Sequence, residues 1–291
     1  MSVARLCTLI LLAMIAFAGN SLLCRIALKS SSIDAASFTT LRLLSGAVSL
    51  WLMTTLLSGS RPEGRGNWLS AGALFGYASG FSFAYVTLPA ATGALLLFCA
   101  VQTTMISHGI CQGERLSRVQ LGGLMMAFAG VVGLLLPGLT TPPLLGALVM
   151  LGAGVSWGVY SLRGRGAGDP VRVTAGNFSR AVPLALVISF VTFNGASLDR
   201  VGLWCAVFSG AVASGAGYVL WYSVVPALKA TTAATVQLMV PLLTALGGSV
   251  FLGETVTVRL VIASVAILGG IALVFLGRHP VESTREGLVG S

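Results

Sequence analysis

Residues 69–89 read LSAGALFGYASGFSFAYVTLP, and residues 206–226 read AVFSGAVASGAGYVLWYSVVP. Each is an apolar run of about the length a helix needs to cross a bilayer at roughly 1.5 Å per residue. Laid over each other at an offset of 137, Gly80, Tyr85 and Pro89 fall on Gly217, Tyr222 and Pro226. Gly72, Gly76 and Gly80 fall on Ser209, Ala213 and Gly217, a ridge of small residues four apart that lets helix backbones approach closely in lipid. The match extends outward in both directions. Arg25 and Arg42 correspond to Arg163 and Arg180 at an offset of 138. Thr92, Gly113-Glu114 and Gly130 correspond to Thr232, Gly253-Glu254 and Gly270 at 140, with a three-residue insertion near Lys229 taking up the step. Glycine-rich apolar segments align easily by chance, but ordered matches that include charged residues argue for a true repeat.

Composition agrees with membrane crossing. The 291 residues are 56% hydrophobic and 9% charged, with a mean hydropathy of +0.94, which excludes an ordinary soluble enzyme. Long unbroken apolar runs without period-2 alternation point to helices rather than a barrel. Ten spans are predicted, at 4–28, 35–57, 67–88, 91–112, 117–136, 142–162, 173–193, 201–225, 231–252 and 257–277. The first is not expected to be a cleaved signal, because its apolar pattern continues past Gly19 to Leu28. With the N-terminus inside, eleven basic residues from Arg5 to Arg285 lie on the cytoplasmic side against Arg25, Lys29, Arg200 and Arg259 outside. This asymmetry predicts a multi-pass protein of the cytoplasmic (inner) membrane with both termini cytoplasmic. It also accounts for the net charge of +9, and no basic run or aromatic-interleaved patch calls for nucleic acid. The five cysteines, Cys7, Cys24, Cys99, Cys111 and Cys205, are scattered in apolar context and read as small core residues, with no metal or cofactor implied.

Five spans per half make the expected organisation a first repeat at 1–138, a second at 139–278 and a cytoplasmic tail at 279–291. An odd number of spans puts the second copy into the membrane upside down, the inverted-topology plan of secondary transporters, with a substrate site near the midplane between the halves. The fold class is thus an all-α integral membrane protein with ten transmembrane helices around a central cavity.

These features resemble the ten-helix drug/metabolite transporter superfamily of the EamA type, carried by Gly113-Glu114-Arg115, Gly253-Glu254-Thr255, Arg42 and Ser156-Trp157-Gly158. Ala18-Gly19-Asn20 departs from the Trp-Gly usual in the first half. Within the superfamily the chain is most similar to aromatic amino acid exporters of the YddG type. The resemblance covers residues 4–277 and implies a basket of spans one to four and six to nine, with spans five and ten as outer supports. It also implies export of amino acids with aromatic or large apolar side chains, and of related metabolites, by alternating access. The expected partners are that small-molecule substrate and the lipid bilayer. A monomer is the expected working unit, a homodimer the alternative.

Candidate substrate residues follow from polarity at depth. Tyr77, Phe81 and Tyr85 form one helical stripe, and Ser214, Tyr218 and Tyr222 another, with Trp221 beside it. A buried tyrosine hydroxyl needs a partner that lipid does not offer. Such stripes are also ordinary core packing. Asn20, Ser156, Trp157 and Asn177 add polar groups within spans, each equally suited to an interhelical hydrogen bond. Arg42 and Arg180 lie inside spans two and seven, where either a substrate carboxylate or snorkelling to a nearby interface accounts for them. Pro183 and Pro241 are candidate hinges without a repeat partner.

All eight carboxylates fall in loops, span ends or the tail. A buried acid that would bind both a cationic drug and a proton is missing, which disfavours the multidrug-cation exporter alternative. Gly154-Val155-Ser156-Trp157-Gly158 matches G-x-S-x-G, with His108 as a conceivable base of a rhomboid-like protease. In a chain with 37 glycines the match is expected by chance, and a protease has no use for the repeat. The protein is therefore expected not to be an enzyme.

Overall fold

A computed structural model describes residues 3–57, 65–113, 116–136, 141–164, 169–224, 227–228 and 236–276. The repeat markers Glu114, Pro226 and Thr232, and the tail 279–291, lie outside the described residues. Those described are helical, without strands. We number the helices α1 (Val3–Ser30), α2 (Ala35–Leu57), α3 (Trp68–Tyr85), α4 (Ala90–Cys111), α5 (Arg118–Leu135), α6 (Leu144–Gly164), α7 (Pro170–Val191), α8 (Arg200–Val224), α9 (Met239–Leu252) and α10 (Val258–Leu276). Seven are long and apolar enough to cross a membrane, whereas α9 and α10 are shorter apolar helices. α3 falls below the same hydropathy because glycine, serine, tyrosine and tryptophan occupy much of its length. The described helices thus make a multi-pass bundle, with Leu11, Ile15, Phe128, Phe190, Phe251 and Ile262 among large apolar side chains turned outward.

Several helices start on side-chain caps placed by the sequence. Asn67 accepts from Ser70 N, Ser117 and Gln120 form a capping box, and Asp34, Asp169 and Asp199 accept from the first-turn amides of α2, α7 and α8. With Glu254 just beyond α9, every described carboxylate sits at a helix end.

Small residues set the close contacts. A Cβ on Gly76 or Gly80 would meet Ser156 or Ala153 of α6, and one on Gly217 would meet Ala16 of α1, whereas Gly72 faces open space. The ridge on α3 therefore packs on α6 and that on α8 packs on α1. α5 and α10 cross where Gly123 and Gly270 each abut the other's carbonyl. That pair joins the remainder through α10 against α4. Cys24, Cys99 and Cys205 are buried as expected, but Cys7 and Cys111 are exposed, because their helix faces have no protein neighbour to cover them.

The expected proline hinges differ. Pro183 lies within a continuous α7 with its ring outward. Pro241 is buried at the start of α9, and the helix is interrupted at Leu238, where the proline cannot donate to the Gln237 carbonyl.

Candidate functional site

Among the described residues, polar groups from several helices gather at depth around one cavity. α1 supplies Phe17, Asn20 and Ser21, α3 supplies Tyr77 and Phe81, α4 supplies Leu97 and Phe98, α6 supplies Trp157, and α8 supplies Ala213 and Tyr218. These surround a small cavity of about 20 Å³, room for about one water molecule. Its wall is an aromatic train. Ring centroids are 4.8 Å apart between Tyr77 and Trp157, 4.9 Å between Trp157 and Tyr218, 5.3 Å between Tyr77 and Phe81, and 6.0 Å between Phe17 and Tyr218. Such tilted and edge contacts suit the ring quadrupoles.

A hydrogen-bond network is threaded through the rings. Asn20 Nδ2 donates to the Tyr77 hydroxyl at 3.2 Å, and Ser209 Oγ donates to Asn20 Oδ1 at 2.6 Å. Arg42 Nη2 donates to the same Tyr77 hydroxyl at 3.1 Å, and its Nε and Nη2 both reach Ser214 Oγ at 3.3 Å. The guanidinium carbon lies 5.1 Å from the Tyr77 ring centre and 4.9 Å from that of Phe81. Of the two explanations for Arg42, snorkelling is overturned: the residue is 1% exposed and turned inward. Its carbonyl abuts Gly210, in a stretch of α8, Ser209–Ala216, wound as a π-helix, a geometry frequent at functional sites.

Polar contacts lie toward both ends of the cluster. At the end where α1 finishes, Arg25 Nε meets Glu254 Oε1 at 3.0 Å, and Arg25 Nη1 donates to the carbonyls of Tyr85 and Val86. Glu254 Oε2 accepts from Ala90 N at 2.7 Å, at the start of α4. Arg25 and Glu254 also border a recess of about 470 Å³ on that face. At the end where α1 begins, Arg163 donates to Ser70 Oγ and Asn67 Oδ1, and Asn177 Oδ1 accepts from Asn67 N at 2.9 Å.

Of the residues singled out in the sequence, Asn20, Tyr77, Phe81, Trp157 and Tyr218 come together with Arg42. Tyr85 is fully buried beside Phe81, its hydroxyl donating to the Ala90 carbonyl, outside the cavity wall. Ser156 sits against Gly76 at the α3–α6 crossing. Asn177 ties the segment before α3 to α7. Trp221 packs edge-on to Phe17 behind the wall. Arg180 turns away, donating to the Arg65 and Gly176 carbonyls. Gly154 and Gly158 are consumed by contacts with Leu97, Ala100 and Thr104, Ser156 Oγ faces Gly76 of α3, and His108 is exposed. Phe17 and Phe98 were missed, because each is the single aromatic of its helix and so forms no stripe.

The sequence model of the EamA-like transporter family matches residues 5–136 and again residues 144–276. An uncharacterized protein of Pseudomonas aeruginosa is 52% identical over 279 residues, 96% of this chain and 97% of that protein. The threonine/homoserine exporter RhtA of Salmonella typhimurium is 36% identical over 131 residues, 43% of each chain. A solved crystal structure superposes with a TM-score of 0.63 over 91% of this chain and 98% of its own, at 22% identity, which supports the fold alone. Two matches that together span nearly the whole chain, on a bundle of apolar helices, leave one conclusion: this protein belongs to the EamA-like transporter family.

Proposed function

We propose that the protein is a carrier exporting amino acids with aromatic or large apolar side chains, and related metabolites, across the cytoplasmic membrane by alternating access. The observation that carries this reading is the buried cluster of Phe17, Tyr77, Phe81, Trp157 and Tyr218, with Asn20 and Arg42 among the rings. Aromatic walls suit an apolar side chain, and the few convergent polar groups suit its amino acid end. Similarity to an exporter over part of the chain supports the direction. The substrate class follows the resemblance to aromatic amino acid exporters read from the sequence, together with the aromatic wall.

The two halves, 1–138 and 139–278, are read as inverted repeats whose rocking opens the cluster first to one side and then to the other. The double family match supports this. So does the packing. α3 on α6 answers α8 on α1, α4 on α6 answers α9 on α1, and α2 on α8 answers α7 on α3, while α2 with α7, α4 with α9, and α5 with α10 pair across the halves. The excess of basic residues on the side of both termini supports a cytoplasmic location for them.

Counterflow in proteoliposomes tests the reading. Vesicles loaded with excess unlabelled phenylalanine, tryptophan, methionine or threonine are expected to accumulate the matching label transiently without an imposed gradient. Overshoot only with a lipophilic cation would replace amino acids with cations as the substrate class.

A further inference from the structure

We infer that Arg42 is the receptor for a substrate carboxylate, and that the site selects monocarboxylates with an apolar or aromatic body. The inference rests on the carrier reading and adds to it which chemical group is indispensable. Arg42 is fully buried, and among the described residues it faces no carboxylate. Asp34, Asp169, Asp199 and Glu254 are all engaged at helix ends. The other buried arginine, Arg25, is committed to Glu254. An uncompensated buried charge is strongly unfavourable, and two hydroxyls and two ring faces offset it only in part.

Hydrogen-bond accounting specifies what completes the site. Arg42 Nη1 has no partner, and neither has the Tyr218 hydroxyl. The Tyr77 hydroxyl accepts from both Arg42 and Asn20, which leaves its own proton to donate. Tyr77 and Tyr218 on the cavity wall, and the Arg42 guanidinium packed against Tyr77 and Phe81 of that wall, therefore present donors that lack an acceptor. The complement is an acceptor-only group with one negative charge, which a carboxylate supplies with two oxygens and about four lone-pair positions. A phosphate would bring nearly two charges to a single guanidinium. An amine would meet donors and a cation. The cavity as it stands has room for about one water molecule, so the body attached to the carboxylate enters as the rings of Phe81, Trp157 and Phe17 part, and those rings then supply its apolar surface.

Purified protein in detergent, mixed with 3-phenylpropionate, 3-phenylpropionamide or phenethylamine, is the first test, read by thermal unfolding. Only the carboxylate is expected to raise the melting temperature, and the rise should vanish in Arg42→Gln and persist in weakened form in Arg42→Lys. Should Arg42→Gln fail to fold, the wild-type comparison of acid with amide and amine still decides, and Tyr218→Phe, which leaves no donor unpaired, is expected to weaken the carboxylate's effect at least threefold. No shift with the carboxylate, an equal shift with the amide or amine, or a full shift in Arg42→Gln would overturn the inference. Phenylalanine counterflow is run on the same preparation. A carboxylate-specific shift without counterflow would overturn the carrier reading and leave the receptor standing. Counterflow equally efficient with phenylalaninamide would do the reverse. In Arg42→Gln the half-saturating phenylalanine concentration is expected to rise at least tenfold.

Discussion

The guanidinium of Arg25 and the carboxylate of Glu254 are 229 positions apart in the chain and 3.0 Å apart in space. They join α1 to the turn after α9, and through the Tyr85 carbonyl and Ala90 amide they also hold the α3–α4 corner. Both side chains are 10% exposed, so removing one partner leaves the other poorly solvated, at a cost of about 3–5 kcal/mol. Glu254→Ala and Arg25→Ala should each lower the detergent melting temperature markedly. The double variant should lose less than the sum, which a double-mutant cycle checks. Because Tyr85 packs on Phe81 of the cavity wall, the same variants should change transport rate as well as stability.

Tyr77 and Tyr218 should separate stability from function. Tyr77→Phe removes the acceptor shared by Arg42 and Asn20, leaving Asn20 Nδ2 unpaired at a cost of about 1–3 kcal/mol and Arg42 Nη2 with Ser214 Oγ alone. The Tyr218 hydroxyl has no partner to lose, so Tyr218→Phe should melt close to wild type. Both should slow amino acid counterflow. Equal melting temperatures for the two variants would contradict the network.

Asp34 links α1, α2 and the segment before α8. Partial burial acts to raise its pKa, but hydrogen bonds from Ser37, Ser197 and Ala36 outweigh this and hold it below the ordinary carboxylate value. A depressed folded pKa contributes stability above the unfolded value near about 4, and that contribution is lost as pH falls through the folded pKa. Melting temperature should thus decline on acidification below about pH 4, less steeply in Asp34→Asn. At neutral pH, Asp34→Ala should cost about 1 kcal/mol as a lost helix cap.

At the α5–α10 crossing, Gly270→Ala would drive a methyl into the Gly123 carbonyl and the Ala127 amide. Backbone cannot rotate aside as a side chain does, so a cost of about 1–3 kcal/mol is expected. Because this pair lies outside the cavity wall, substrate half-saturation should stay near wild type while thermal stability falls.

The sequence by itself determined the helices, their approximate ends and the membrane setting. Those depend on apolar run length, capping residues such as Asp169 before Pro170, and small-residue spacing, all local along the chain. It also marked Tyr77, Phe81, Trp157, Tyr218 and Asn20 as polar or aromatic groups at depth. Only the tertiary structure decided which of them meet. Arg42 and Arg180 correspond in the repeat expected from the sequence, yet one points into the aromatic cluster and the other reaches the Arg65 carbonyl. Ser156 and Asn177 turn to neighbouring helices, while the unremarked Phe17 and Phe98 line the cavity. In a chain apolar on nearly every face, hydropathy does not say how a helix is rotated about its axis. That rotation is set by close contacts between backbones distant in sequence, such as Gly210 against Arg42 and Gly80 against Ala153.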